Sequence, residues 1–180
     1  MNIAIIGWGS LLWAPKALAT RSAWHPDGPR LPIEFARVSS DGRLTLVIHP
    51  GSALVQTYWA LSALNTLDGA RVNLRDREGS KLESIASAVR GQVGSSADAT
   101  EAAVHEWLVQ YPDLDAAIWT GLPATLTGPD VVEQAVAHLE GLRSQPEVHA
   151  LAREYVVKAP AQTQTAVRQE LKKRGWADEV

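Results

Sequence analysis

The stretch Ile3-Ala4-Ile5-Ile6-Gly7-Trp8-Gly9-Ser10-Leu11-Leu12-Trp13-Ala14-Pro15 decides how the rest of the chain is read. Its first four residues are apolar and mostly β-branched, which reads as a short buried strand. The strand runs straight into a turn punctuated by Gly7 and Gly9. Two glycines around one residue let the main chain approach a ligand with no Cβ in the way. Successive N–H groups in such a turn aim at a carboxylate or phosphate. An apolar strand that ends in exposed amides marks a candidate site.

Bulk properties narrow the class. With 180 residues the chain is long enough for one well-buried core and barely long enough for two. Charged residues make up 21% and hydrophobic ones 46%, the balance of an ordinary soluble globular domain. A net charge of -3 argues against a nucleic-acid partner, which needs clustered Lys and Arg. Lys172-Lys173-Arg174 comes nearest, and it suits a helix C-terminus, where cations complement the dipole. The absence of cysteine excludes disulfides, thiolate catalysis and Cys-based zinc sites.

The first residues superficially fit a secretory signal, with Ala17-Leu18-Ala19 as the cleavage site. No Lys or Arg precedes the apolar run, however, and Gly7, Gly9, Ser10 and Pro15 break it. The expectation is a first strand in a cytoplasmic protein. No stretch reaches the roughly 18 apolar residues that a membrane helix needs, so no membrane partner is expected.

Outward from the turn, residues 1 to 63 read mostly as strand. Leu31 to Ser39 is extended, Ser40-Asp41-Gly42-Arg43 supplies turn chemistry, and Leu44 to His49 is a second run, together a hairpin. Val55 to Ser62 is a third strand, and Trp24 to Pro29 is a loop rich in proline and glycine. Helical spacing then dominates, over Leu64 to Arg77 with a break near Gly69, Glu83 to Val89, and Asp98 to Val109. Asp115 to Thr120 reads as one more strand, followed by helices near 129–142, 146–157 and 162–174. Pro129 sits near the start of the first of these. The expected organisation is a single domain over 1–180, with a β-rich core over 1–125 carrying inserted helices and a helical part over 126–180.

Three chemistries compete at the first turn. A dinucleotide fingerprint needs a third glycine where Leu12 stands, and an acidic residue closing a second strand about 20 positions on, where the nearest, Asp27, lies in the loop. A serine-hydrolase elbow needs Gly-x-Ser-x-Gly; Ser10 lies between Trp8 and Leu12, and Ser52 between Pro50 and Leu54. The histidines (His25, His49, His105, His138 and His149) show no paired spacing on a helix face, so no metal is expected.

The third chemistry rests on a resemblance. Gly7-Trp8-Gly9-Ser10-Leu11-Leu12-Trp13-Ala14-Pro15 resembles the Tyr-Gly-Ser-Leu signature of the γ-glutamylcyclotransferase superfamily, whose glutathione-specific branch often continues with Trp and Pro, as Trp13 and Pro15 do. A second anchor is Leu74-Arg75-Asp76-Arg77-Glu78-Gly79. In the family a Glu in a Leu-x-x-Arg-Glu or Gln-Glu-Gly setting is the acid/base, which the resemblance carries to Glu78. The likeness spans roughly residues 1–80. It implies an α+β fold with a small mixed or barrel-like sheet, to which the later helices are an elaboration. Trp8 departs from the family's tyrosine. After Glu78 the family runs into a strand, whereas Ser80 to Ile85 reads as helical here.

The implied reaction is physically coherent. A γ-glutamyl group cyclises when its own α-amine attacks its γ-carbonyl, giving 5-oxoproline and releasing the amine partner. One carboxyl group takes the proton from the ammonium and returns one to the leaving nitrogen, with no cofactor. Holding the chain bent supplies much of the remaining acceleration. The turn residues Gly7, Trp8, Gly9, Ser10 and Leu11 are the expected cradle for the substrate's α-carboxylate or attacked carbonyl. Trp13 and Tyr58 are expected to wall the pocket with Trp8.

Plainer roles stand beside these. Glu78 lies in a charged run of the kind that usually forms a solvated helix end, and Ser10 can simply cap the turn. Trp13 and Trp59 equally suit a core. Glu34 is a second candidate buried carboxylate, and Arg37 is a candidate partner for it or for a substrate carboxylate. The alternative reading is a non-catalytic module that binds a small ligand or a protein.

Overall fold

The computed structural model describes residues 1–92 and 98–176. In chain order the strands are β1 (Ile3–Gly7), β2 (Arg30–Val38), β3 (Leu44–Ile48), β4 (Leu54–Gln56), β5 (Tyr58–Leu61), β6 (Ile85–Val89) and β7 (Ala116–Thr120). The helices are α1 (Leu67–Glu78), α2 (Ala99–Val109), α3 (Val131–Gly141), α4 (Pro146–Lys158) and α5 (Ala166–Leu171). The fold is α+β with two small open sheets, neither closed into a barrel. The chain divides into two compact units: Met1–Gly7, Ala14–Leu31 and Gln56–Leu122 form one, and Trp8–Trp13, Pro32–Val55 and the chain from Pro123 form the other.

In the first unit the sheet order is β5-β1-β7-β6. The central strand β1 is antiparallel to β5, with Gly7 opposite Tyr58, and parallel to β7, with Ile5 opposite Ile118. Ile3, Ala4, Ile5 and Ile6 are all buried, because both faces of β1 are covered. That is why its sequence is continuously apolar rather than alternating. Helices α1 and α2 pack on β6 and β7.

Two elements of this unit differ from expectation. The stretch Glu83 to Val89 is not a helix: Leu82–Ser84 makes one 3₁₀ turn, and Ile85–Val89 is strand β6, antiparallel to β7. Apolar residues four apart, Ile85 and Val89, suit either period, and pairing with β7 decides the matter. Nor does Gly69 interrupt α1. Its N–H is received by the Thr66 side chain at 3.3 Å, an N-cap that begins the helix two residues earlier. Gly79 ends it, at φ 60 with its N–H turned back to the carbonyls of Arg75 and Asp76. Glu78 is thereby fixed as the last helical residue.

In the second unit the sheet order is β3-β2-β4. β2 and β3 form the expected hairpin, with Val38 opposite Leu44 and a bulge between Phe35 and Arg37. Gly42, at φ 81, makes the turn. The single strand expected over Val55 to Ser62 is two strands, β4 and β5, in different sheets. They break at Thr57, which is fully buried and donates its hydroxyl to the Pro29 carbonyl at 2.6 Å. Helices α3 and α4 pack on β3. Instead of starting near 162, α5 starts after Thr165, whose side chain accepts from the Arg168 N–H.

Candidate functional site

In the first unit, α1 buries Ala70, Leu74 and Arg77, positions that share one helix face. Arg77 therefore lies on the apolar stripe, with its side chain only 5% exposed. Its Nη2 donates to the Ala14 carbonyl at 2.7 Å, and its Nη1 donates to Glu78 Oε1, also at 2.7 Å. The Glu78 side chain is 15% exposed. Among the described residues its Oε2 has no hydrogen-bond partner. The charged run that reads as a solvated helix end is thus partly withdrawn from water, and the carboxyl is held by one oxygen.

Gly7 and Tyr58 also belong to this unit. Gly7 is a buried strand residue paired with Tyr58, so the turn proper begins after it. Tyr58 is half-buried, and that burial pushes its phenol upward from the ordinary value.

The second unit holds the turn itself. The Leu12 N–H closes on the Gly9 carbonyl at 3.0 Å. Among the described residues the N–H groups of Gly9 and Leu11 have no acceptor, although both residues are buried. A buried amide without an acceptor is costly. Trp8 is 5% exposed, and its indole N–H donates to the Leu46 carbonyl at 3.2 Å. Its one polar side-chain atom thus serves the fold. Ser10 is half-buried.

Gly9 has a different explanation from the one its sequence suggests. A Cβ there would lie 2.7 Å from the Tyr155 hydroxyl, so the missing side chain makes room for that phenol. Trp13 meets the same ring edge-on, with centroids 5.2 Å apart.

Glu34 is the second buried carboxylate, at 2% exposure, and both of its oxygens are engaged. Oε1 accepts the Phe35 N–H at 2.8 Å, and Oε2 accepts the Ala166 N–H at 2.9 Å. Arg37 does not serve Glu34; it donates to the Pro123 carbonyl at 2.7 Å. These two side chains tie β2 to other parts of their own unit.

Sequence reasoning missed Arg77 and Tyr155. Arg77 carried a faint signal, its spacing of seven and three residues from Ala70 and Leu74 on one face. Tyr155 lies on the stripe Ala152, Tyr155, Val156 of α4, which reads as core, and nothing local connects it to Gly9. Among the described residues no group of three or more His, Cys, Asp or Glu is arranged to hold a metal ion, and no helix is long and apolar enough to cross a membrane. No family model matches the chain, and no curated protein or solved structure is significantly similar to it.

Proposed function

We propose that this chain is a γ-glutamyl cyclotransferase-like enzyme that releases 5-oxoproline from a γ-glutamyl amine or peptide. The observation that carries the reading is the Glu78 carboxyl, with one oxygen on Arg77 and the other without a partner among the described residues. An acceptor oxygen of that kind is what a general base needs. Oε2 takes a proton from the substrate's α-ammonium. The freed amine attacks the γ-carbonyl carbon and forms the new C–N bond of the ring. As the old C–N bond breaks, Glu78 returns the proton to the leaving nitrogen. The ring nitrogen's surplus proton also leaves with the amine, so the products are 5-oxoproline and the amine partner as its ammonium ion, and Glu78 ends as it began.

Arg77 keeps the Glu78 carboxyl in one orientation, which favours proton transfer along a fixed line. The reading includes a small-molecule partner and no nucleic acid.

A second reading, a binding module without chemistry, is favoured by the pairing of Glu78 with Arg77, which also suits a purely structural ion pair. One experiment separates the two. Purified protein is incubated with a panel of γ-glutamyl amines and peptides, and 5-oxoproline is quantified for the wild type and Glu78→Gln. The glutamine keeps an oxygen for Arg77 and removes the base. The enzyme reading predicts product from the wild type and a rate at least about 100-fold lower from Glu78→Gln. Equal rates would remove Glu78 from its role. Binding of a panel member without any product would favour the module.

A further inference from the structure

We propose that the hydroxyls of Tyr58 and Thr120 donate to the oxygen of the attacked γ-carbonyl and stabilise the negative charge that develops there. The inference rests on the γ-glutamyl reading for the reaction, and all of its residues, Glu78 included, belong to the first unit. Its basis is the register of the sheet. Gly7 pairs with Tyr58 across β1 and β5. Strands β1 and β7 each have five residues and run in parallel from the pair Ile3 and Ala116, so their last residues, Gly7 and Thr120, are neighbours. Cross-strand neighbours share a face, so Tyr58 and Thr120 flank Gly7 on one face, each a strand spacing of about 5 Å away. Gly7 has no side chain to stand between them. Both parallel strands finish at this end, and open sheets receive ligands at such carboxyl ends.

Helix α1 brings Glu78 to the same end and the same face. Trp59, next to Tyr58, packs on Trp107 of α2 with ring centroids 5.7 Å apart, so α2 covers the face opposite to Tyr58. Both helices pack on β6 and β7 but make little contact with each other among the described residues, which places α1 on the Tyr58 face. The helix starts at the far end of the sheet, near Asn65, whose carbonyl accepts from the Met1 ammonium at 3.0 Å. Its 12 residues rise about 18 Å, enough to run the length of β1. Partway along, Arg71 donates to the carbonyl of Ile85, the residue paired with Thr120. Arg77 and Glu78 therefore close the helix at the Thr120 end.

The Thr120 hydroxyl oxygen is buried, and neither it nor the Tyr58 hydroxyl has a hydrogen-bond partner among the described residues. A buried hydroxyl left unpaired costs stability, and chains retain such groups where function needs them. Burial pushes the Tyr58 phenol upward, so it stays protonated and able to donate. Both donors are neutral, and the Glu78 carboxylate disfavours a second anion beside it. A carbonyl oxygen suits this arrangement better than a carboxylate. It is uncharged on arrival, and it gains charge only after Glu78 has lost its own by taking the proton.

Tyr58→Phe and Thr120→Val each delete one hydroxyl and keep the volume. Steady-state release of 5-oxoproline from γ-glutamylalanine and from glutathione is followed, and urea midpoints are measured in parallel. Each variant is expected to lose about 100-fold in kcat with KM within about threefold of wild type, because these bonds strengthen as charge reaches the oxygen. The urea midpoints should hold or rise, since neither hydroxyl has a described partner to lose. Wild-type kcat in both variants, with release abolished by Glu78→Gln, overturns the inference and leaves the Glu78 reading standing. A lower rate matched by a lower urea midpoint assigns the hydroxyls to the fold and also overturns it. So does a raised KM at unchanged kcat, which puts the hydroxyls on another part of the substrate. If the wild type releases 5-oxoproline from neither compound nor from the rest of the panel, the γ-glutamyl reading fails and the inference falls with it.

Discussion

Glu34 and Glu78 are carboxylates largely withdrawn from water, one in each compact unit, and their surroundings differ in a way that assigns them different work. Both oxygens of Glu34 face main-chain N–H groups, those of Phe35 and Ala166. Glu78 has one oxygen on Arg77 and the other without a partner among the described residues. A saturated carboxylate is part of the frame. A carboxylate held at one oxygen is oriented and still has an acceptor to offer. Burial is common to both; the count of engaged oxygens separates them, and the proposed acid/base role falls to Glu78 on that ground.

The comparison breaks most visibly at Arg77. Arg77→Met removes the donor shared by Glu78 and the Ala14 carbonyl and strands a mostly buried carboxylate. Urea unfolding should show a loss of about 3 kcal/mol, with 5-oxoproline release per folded molecule also reduced about tenfold or more. At the other carboxylate, Glu34→Leu leaves the Phe35 and Ala166 N–H groups without an acceptor. It should cost about 2 kcal/mol in the same experiment and leave the rate per folded molecule within about twofold of wild type. A rate that falls equally in both variants would erase the distinction between the two glutamates.

A smaller effect tests why Gly9 is glycine. Gly9→Ala puts a Cβ 2.7 Å from the Tyr155 hydroxyl and should lower stability by about 1–2 kcal/mol. Combining it with Tyr155→Phe should recover at least about half of that loss, because the obstructing oxygen is gone. Equal losses in both backgrounds would mean that Gly9 answers to something else.

The smallest expected effect is in acid. Burial works against charge on Asp41, but hydrogen bonds from Arg43 and Ser39 outweigh it and hold the carboxyl down to about 2. Asp27 in the first unit is also lowered: burial opposes its charge, and hydrogen bonds from Tyr111 and Trp59 prevail. A carboxyl depressed on folding stabilises the protein above its unfolded value, about 4, and that contribution fades as pH falls toward the folded value. Urea midpoints measured from pH 5 downward should therefore drop less steeply for Asp41→Asn than for the wild type. The size is modest because Asp41 is 45% exposed. Parallel curves would show that Asp41 contributes nothing through its charge.

Much of the frame was legible because it follows from local rules. The unbroken run Ile3 to Ile6 reads as a strand covered on both faces, and Asp98 caps α2, its side chain accepting from the Thr100 N–H. Pro146 opens α4. The misreadings occurred where tertiary pairing overrides a local pattern. Ile85 to Val89 carries apolar residues at a spacing both periods allow, and Thr57 splits one apparent strand by bonding to Pro29. At the candidate site, the turn and Glu78 were visible as motifs. Arg77 was hidden in a charged run, and Tyr155 was hidden because nothing near it in sequence announces a contact with Gly9.

Glu78→Ala assayed for 5-oxoproline with and without added formate addresses the proton-transfer role most directly. If the missing carboxyl is the base, the variant is nearly inactive alone, and a small free carboxylate restores its rate by about tenfold or more in proportion to formate concentration. A variant that keeps the wild-type rate without formate would contradict the assignment, since the ring would then close with no help from residue 78.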